Sequence, residues 1–218
     1  MTDAHCHIIS GDPEIRELVI GREFIGVHPW EAERDLPDDF EAQLLARPQV
    51  GVGEIGLDRL RERTISLKMR EVFERQLSLA LKLKRPIALH GAKCWGEVVR
   101  AIKSSDVAPA NLPPLLFHGF SRSEGLIPDI IKLNGFISVG PTILNDHAVN
   151  YRELVRKIPR DNLLIETDRT EANARECPSI RDVARKLAQI LAMSLEEIEA
   201  LTDRNANTFW YNRNNHEN

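Results

Sequence analysis

Short apolar segments alternate with amphipathic segments along most of this chain of 218 residues. The apolar segments have the length of buried parallel strands, whereas the segments between them repeat apolar residues at helical spacing. Strands that alternate with helices pair in parallel through right-handed crossovers, so the pattern predicts an α/β fold. The seven candidate strands are the opening segment and residues 24–28, 50–54, 86–90, 114–118, 135–139 and 163–166. The candidate helices are residues 38–47, 67–84, 95–104, 124–134, 148–158, 180–193 and 195–209.

Residues that can bind a metal ion stand at or just past the C-terminal ends of most predicted strands. In a (β/α) barrel these ends meet at one mouth, where catalytic groups collect. We therefore predict a TIM-like barrel, shortened to seven parallel strands, that forms a single domain over residues 1–218. The strand-end residues are His28, Glu54, His90, His118 and Asp168.

Two further histidines lie in the motif DAHCH at the start of the chain. Successive side chains of a strand point to opposite faces, so His5 and His7 share one face and Cys6 points away from both. Such a pair could chelate one ion, or it could be two ordinary surface histidines. The strand-end residues favour the metal site, because packing needs alone would rarely gather so many ligand-type side chains at one end of a sheet. His147 and His216 are interpreted as solvent-exposed histidines without a role.

The predicted site combines imidazole and carboxylate groups, which suit divalent metal ions. The set exceeds the needs of one ion, so it predicts one or two ions, with Mg, Mn or Zn as candidates. Glu54 is the natural bridge between two ions, and Asp168 can be both a ligand and the base for a bound water, which makes these two the predicted catalytic residues. The predicted metal ligands are His5, His7, Glu54, His90, His118 and Asp168.

Basic residues follow several of these strands in predicted loops above the mouth. The net charge of -4 argues against a protein that coats nucleic acid electrostatically, but it leaves room for a local phosphate site. Arginine can hold phosphate through two hydrogen bonds, so the cations suggest an anionic substrate, although loops are commonly charged. Trp30 and Trp95 also lie just beyond strand ends, where an indole could stack on a base or pack under a loop. The four cations are Arg59, Lys93, Arg122 and Arg169.

The motifs follow one another in the order found in a known family. DAHCH, GVHPW, VGEIGLD, PIALHGAK, FHGFSRS, ISVGPTIL and LLIETD, with NANTFW in the last helix, resemble the TatD family of metal-dependent deoxyribonucleases over nearly the whole chain. The resemblance implies a (β/α) barrel with a divalent metal site and hydrolysis of DNA phosphodiester bonds, often from a 3′ end. It implies the six ligands named above and a place for His28 near the substrate phosphate. The expected partner is DNA or another phosphodiester, and the predicted substrate contacts are His28, Arg59, Lys93 and Arg122.

The segment after DAHCH departs from the family pattern. Family members usually place an extra strand and helix between the HxH and GxHP motifs, whereas residues 8–23 intervene here. This length leaves room for one short helix around residues 14–20 and no second strand, so the barrel has seven strands or closes through an irregular segment. Arg169 and Thr170 also replace the family's Ser-Pro, and HGFS replaces HCFS, which alters loops that form the specificity surface.

Three functions are compatible with these residues. The leading one is a metal-dependent deoxyribonuclease or exonuclease that uses a metal-activated water. The same chemistry suits a carboxylic ester or amide, such as an aminoacyl ester, and the third alternative is a metal-binding scaffold without activity. The chain shows no signal-peptide pattern and no long apolar segment, so we expect a cytoplasmic protein without membrane contacts, and we expect a monomer. The three scattered cysteines are expected to be free thiols.

Overall fold

The computed structural model describes residues 1–211, which contain eight strands and seven α-helices. The strands are β1 (Thr2–Cys6), β2 (Arg16–Val19), β3 (Phe24–Ile25), β4 (Gly51–Asp58), β5 (Ile87–Ala92), β6 (Leu115–Phe117), β7 (Gly135–Val139) and β8 (Leu163–Ile165). The helices are α1 (Phe40–Ala46), α2 (Leu67–Lys82), α3 (Trp95–Lys103), α4 (Ile127–Lys132), α5 (Val149–Lys157), α6 (Ile180–Leu191) and α7 (Leu195–Tyr211). All seven predicted helical segments therefore contain a helix.

The strands form two parallel sheets that together follow the strand order of a (β/α) barrel. β3 to β8 make a six-stranded sheet in sequence order, and β1 pairs with β2. Two seams join the sheets: a parallel bridge links Ile20 with Phe24, and the amide of Asp168 donates to the carbonyl of His5 at 3.0 Å. The predicted α/β, TIM-like fold is confirmed, although pairing between the named strands does not run around a closed ring within residues 1–211.

The segment after DAHCH contains a strand that the sequence prediction missed. β2 pairs in parallel with β1, so the predicted short helix around residues 14–20 and the count of seven strands are wrong. Residues 7–15 cross from one strand to the other without a helix. The side chain of Glu17 accepts a hydrogen bond from the amide of Ser10 at 2.6 Å, and this bond ties the crossover loop to β2.

The helices pack on one face of the strands through apolar stripes. In α2 the side chain of Ser66 caps the first turn by accepting from the amide of Met69 at 3.0 Å, and the buried side of the helix packs against β4. Gln76 lies within that buried stripe and is fully buried. A polar side chain in such a position needs hydrogen-bond partners, and Gln76 finds them in the backbone amide and carbonyl of Val27.

The other face of the strands carries two layers of side chains. The lower layer is apolar and is completed by Phe209 of α7, whose ring centroid lies 6.2 Å from that of Phe24 and 5.7 Å from that of Phe136. Because side chains alternate along a strand, the residue two positions further on points the same way and forms a polar upper layer. Along each of four segments, an apolar residue of the lower layer is followed two positions later by a polar residue of the upper layer. These residues are Ala88 and His90, Leu116 and His118, Phe136 and Ser138, and Leu164 and Glu166.

Several smaller predictions concern single residues. Cys6, Cys94 and Cys177 are free thiols as predicted, and the first two are buried. His147 is exposed as predicted, whereas His216 lies outside the described residues. Among the helices of residues 1–211, none has the length and apolar character needed to span a bilayer.

Candidate metal centre

The six predicted ligands converge above the apolar layer, although they do not all stand at strand ends. His5 lies within β1 and Glu54 in the middle of β4, whereas His118 follows β6 directly. Gly53 lets β4 approach β5 closely, because a Cβ atom at this glycine would lie 2.6 Å from the Cβ atom of Ala88. This close approach brings the Glu54 side chain toward His90, which follows Ala88 by two residues on β5.

The first of two ligand clusters contains His5, His7, Glu54 and Asp168. Nε2 of His5 lies 3.3 Å from Oε2 of Glu54 and 3.5 Å from Oδ1 of Asp168. Nε2 of His7 lies 3.4 Å and 3.5 Å from the same two oxygens. Ligand atoms that surround an ion tetrahedrally at about 2.0–2.1 Å are separated by about 3.3–3.4 Å. Each histidine nitrogen therefore lies from both carboxylate oxygens at about the separation found in a tetrahedral coordination shell.

The second cluster surrounds the other oxygen of Glu54. Its Oε1 lies 2.6 Å from Nδ1 of His90, 2.7 Å from Nε2 of His118 and 3.4 Å from Nε2 of His28. The rings of His5 and His118 stack with their centroids 3.9 Å apart, which places the two clusters side by side. Glu54 thus presents one oxygen to each cluster, which is the geometry of a bridging ligand.

Buried ring nitrogens without hydrogen bonds indicate that the residues fit a divalent ion. Within residues 1–211, both nitrogens of His5 and Nδ1 of His118 are buried without a hydrogen-bond partner of acceptable geometry. Burying an unpartnered polar atom is costly, and a cation bound at Nε2 of His5 would remove that cost at this atom. Imidazole nitrogens combined with carboxylate oxygens are the donor set that Zn and Mn accept.

The charged groups of the centre perturb one another. Burial acts to raise the pKa of Glu54, but the neighbouring His118 and His5 hold it well below its usual value. Burial also acts to raise the pKa of Asp168, but the neighbouring imidazoles of His5 and His7, each 3.5 Å away, hold it far below normal. Hydrogen bonds to Asp168 and Glu54 raise the pKa of His7 to about 9. Both carboxylates are therefore ionised at neutral pH, as the ligands of a cation must be.

Asp58 is a site residue that the sequence analysis did not identify. Its Oδ2 lies 2.7 Å from Nε2 of His90 and accepts a hydrogen bond from Nε1 of Trp30 at 2.9 Å. Its Oδ1 accepts from the amides of Leu60 and Arg61 at 2.6 and 2.8 Å. Burial acts to raise the pKa of Asp58, but the bond from His90 lowers it below normal, so the carboxylate is ionised and Nε2 of His90 carries the proton. Nδ1 of the same ring lies 2.6 Å from Oε1 of Glu54, and it can bind a cation of the second cluster only in the form that carries no proton on this nitrogen.

Glu166 and Ser138 form a second group that the sequence analysis missed. Oε2 of Glu166 accepts a hydrogen bond from the hydroxyl of Ser138 and lies 3.7 Å from Nδ1 of His118. Its Oε1 accepts from the amide of Gly119 at 2.8 Å. The group therefore supports the segment that carries His118.

Strand alternation is the sequence signal that could have identified both buried acids. Asp58 follows Glu54 by four residues on β4, so the two side chains share a face of a regular strand. Glu166 follows Leu164 by two residues, just as His118 follows Leu116. Residues that share a face with a predicted ligand are candidates for the same site.

A cavity of about 730 Å³ opens above the two clusters. Its wall includes His28 and two arginines that were not predicted to contact substrate, Arg34 and Arg61. Arg59 instead forms an ion pair with Glu97 at 2.7 Å. Among the predicted substrate contacts, those absent from the described lining of this cavity are Arg59, Lys93 and Arg122.

Two other residues near the mouth have contacts of their own. Arg169 donates hydrogen bonds to the carbonyls of Ala174 and Cys177 at 2.7 and 3.2 Å, so its guanidinium organises the loop after β8. Trp95 is buried and packs against phenylalanine rings of the core. Trp30, in contrast, lines the cavity and is 52% exposed.

Comparison with known proteins identifies relatives of this chain. The family described as TatD related DNase matches residues 19–211. The uncharacterized metal-dependent hydrolase YabD of Bacillus subtilis is 31% identical over 84% of this chain and 74% of its own length. The 3′-5′ ssDNA/RNA exonuclease TatD of Edwardsiella piscicida is 29% identical over 66% of this chain, which spans 55% of that protein. The family resemblance predicted from the motifs is confirmed.

A solved structure supports the same fold. The crystal structure of YjjV, a TatD homologue from Escherichia coli K12, superposes with a TM-score of 0.71 and covers 90% of this chain and 77% of its own chain. The sequence identity in that comparison is 24%, so the likeness is evidence for the fold alone.

Proposed function

Because the chain belongs to the TatD family of metal-dependent hydrolases, we propose that it is a nuclease that cleaves phosphodiester bonds from the end of a DNA or RNA strand. The observation that supports this proposal most directly is the position of Glu54, whose two oxygens face two ligand clusters. Paired divalent ions suit phosphodiester cleavage because they stabilise both the attacking and the leaving oxygen. The exonuclease relative carries the polarity 3′-5′ in its name, and we propose the same polarity here.

The bound ions would activate a water molecule and stabilise the charge that develops on the phosphoryl group. Asp168 faces the cavity with 48% of its side chain exposed, and its carboxylate accepts the proton of the attacking water. His5, His7 and Glu54 hold the reaction centre in place from buried or half-buried positions. Their rigidity matters because misplacement by about 1 Å can cost about a hundredfold in rate.

His28 is suited to bind a phosphate oxygen. Its Nδ1 accepts a hydrogen bond from the amide of Trp30 at 3.1 Å, so the neutral ring carries its proton on Nε2. That nitrogen faces Glu54 and the cavity, where it can donate to an anionic substrate. Arg61 adds positive charge at the cavity wall, whereas Arg34 forms an ion pair with Glu31 of the same wall at 3.3 Å. Arg59, Lys93 and Arg122 remain predicted contacts for nucleic acid further from the centre.

The test is a nuclease assay on the purified chain after removal of metal and reconstitution with Mg, Mn or Zn. Single-stranded DNA and RNA oligonucleotides, each labelled at the 5′ end, should be shortened progressively from the 3′ end. Asp168→Asn should lower the rate by at least about a hundredfold, since general bases contribute about 10²–10⁴-fold. Asp161→Asn is the matched control, because its carboxylate is 89% exposed and lies before β8.

Two outcomes would contradict the proposal. Retention of metal without cleavage of either nucleic acid would favour the inactive scaffold. Turnover of a carboxylic ester, with both oligonucleotides intact, would instead favour the ester or amide hydrolase. Parallel assays with an aminoacyl ester and an oligonucleotide therefore separate all three functions.

A further inference from the structure

We propose that Trp30 is a stacking platform for the unpaired base of the nucleotide whose phosphate is cleaved, an inference that rests on the proposed nuclease function. In this role Trp30 makes the cavity wall beside the ligand clusters part of substrate recognition, so that the enzyme binds the terminal base as well as the phosphate.

The indole of Trp30 lies within reach of a nucleotide held at the clusters. Trp30 belongs to a short 3-10 helix, Pro29–Glu31, that His28 caps three residues after the end of β3. Its ring centroid is 4.9 Å from that of His28 and 6.4 Å from that of His90. A phosphate bound at the clusters therefore has an aromatic surface beside it in the wall of the same cavity.

The indole is held in a fixed orientation. Its N–H donates to the buried carboxylate of Asp58 at 2.9 Å, and this carboxylate also binds His90. The guanidinium of Arg61 lies 5.6 Å from the centroid of the Trp30 ring, within the range of a cation–π contact. The polar atom of the indole thus faces the protein, and a fixed ring loses little conformational entropy when a base stacks on it.

The exposure of Trp30 is not explained by packing. The side chain is 52% exposed, although tryptophan is among the residues that gain most from burial. Among the described residues that line the cavity, Trp30 is the one aromatic side chain other than histidine. Bases of any identity offer a π-face to such a ring, so the contact favours an unpaired base with little sequence preference.

The test compares oligonucleotides that end in a normal nucleotide or in an abasic one. With wild-type protein, we expect the abasic end to raise KM about 5- to 150-fold, the range of base stacking on an aromatic residue, with a smaller change in kcat. Trp30→Ala should raise KM for the normal end and abolish the difference between the two ends. Trp30→Phe keeps an aromatic face and should retain most of that difference. Leu67→Ala, on a side chain that is 88% exposed at the start of α2, should behave as wild type.

A binding measurement gives a second readout that does not depend on turnover. A phosphorothioate oligonucleotide, which resists cleavage, should quench part of the tryptophan fluorescence of the wild-type protein, and this part should be missing in Trp30→Phe. If Trp30→Ala is active and still distinguishes the two ends, the stacking role of Trp30 is wrong and the nuclease proposal stands. A wild-type protein that cleaves neither oligonucleotide would overturn the nuclease proposal and the platform with it, so the two failures are distinguishable.

Discussion

Asp58 orients one of the predicted ligands, and its removal should weaken metal binding. Asp58→Asn keeps an oxygen for the amides of the following turn but replaces the ionised acceptor of the His90 N–H with a neutral group. We expect the affinity for Mn or Zn to fall about 10- to 100-fold, the usual effect of losing such a partner. Titration calorimetry on metal-free protein measures it, with Asp35→Asn as the control on an exposed carboxylate that pairs with Lys68. Unchanged affinity would contradict the role of Asp58.

Ser138 satisfies one oxygen of a buried carboxylate, so its loss should destabilise the fold. The hydroxyl of Ser138 donates to Oε2 of Glu166, and both side chains are buried. Ser138→Ala leaves that oxygen without its donor and should lower the free energy of unfolding by about 1–3 kcal/mol. Urea denaturation of metal-free protein provides the measurement. Ser104→Ala, on an exposed serine after α3, should change stability by less than about 0.5 kcal/mol, and an equal effect of both changes would argue against this account.

At the level of secondary-structure elements, Gln76 links helix α2 to the segment that carries His28. Its Oε1 accepts from the amide of Val27 at 2.7 Å and its Nε2 donates to the carbonyl of Val27 at 3.1 Å. Gln76→Leu suits the apolar stripe but leaves both backbone groups unpaired. We expect a loss of about 1–3 kcal/mol in the free energy of unfolding and faster hydrogen exchange of the Val27 amide. Gln43→Leu, on an exposed glutamine, is the control, and normal exchange at Val27 would refute the link.

The elements that could be predicted from sequence are those with strong periodicity. The helical stripe over residues 67–84 corresponds to α2, and the five-residue run GFISV corresponds to β7. β2 could not be predicted, because a strand of four residues with the sequence RELV has no period that distinguishes it from a helical turn. Its identity as a strand depends on pairing with β1 across a loop without a helix, which is tertiary information.

The metal ligands of the site were predicted from the sequence, whereas the residues that hydrogen-bond to those ligands were not. Glu54 and Asp168 could be identified because a metal site demands particular side chains in particular places. Asp58 was missed because the predicted strand ends at residue 54, whereas β4 continues to Asp58, whose carboxylate binds the amides of the following turn. The basic residues were harder still, since an arginine in a loop such as Arg59 can pair with a local carboxylate as readily as with substrate.

For the molecule as a whole, the two seams between the sheets determine whether the ligand clusters stay assembled. β1 contributes His5, whereas Glu54 and His90 come from β4 and β5 of the other sheet and His118 directly follows β6. Near one seam, the carboxylate of Asp3 accepts hydrogen bonds from the amide and the hydroxyl of Thr167 at 3.0 and 2.6 Å. These contacts between β1 and the segment after β8 hold the first cluster together. His5 follows Asp3 by two residues, and Asp168 directly follows Thr167.

Thr167→Val tests whether this seam is a local weak point of the barrel. Valine has nearly the same shape as threonine, but it leaves one oxygen of the buried Asp3 carboxylate without its hydroxyl donor. We expect the free energy of unfolding to fall by about 1–3 kcal/mol and the amides of His7 and Asp168, which bond across the seam, to exchange faster. Hydrogen exchange followed by mass spectrometry distinguishes this local opening from global unfolding. If the seam opens locally, the amides of β5 and β6 should still exchange only through global unfolding, at the rate set by the lowered free energy of unfolding. Thr64→Val, on an exposed threonine, serves as the control, and a uniform rise in exchange over all strands would show that the seam does not open independently.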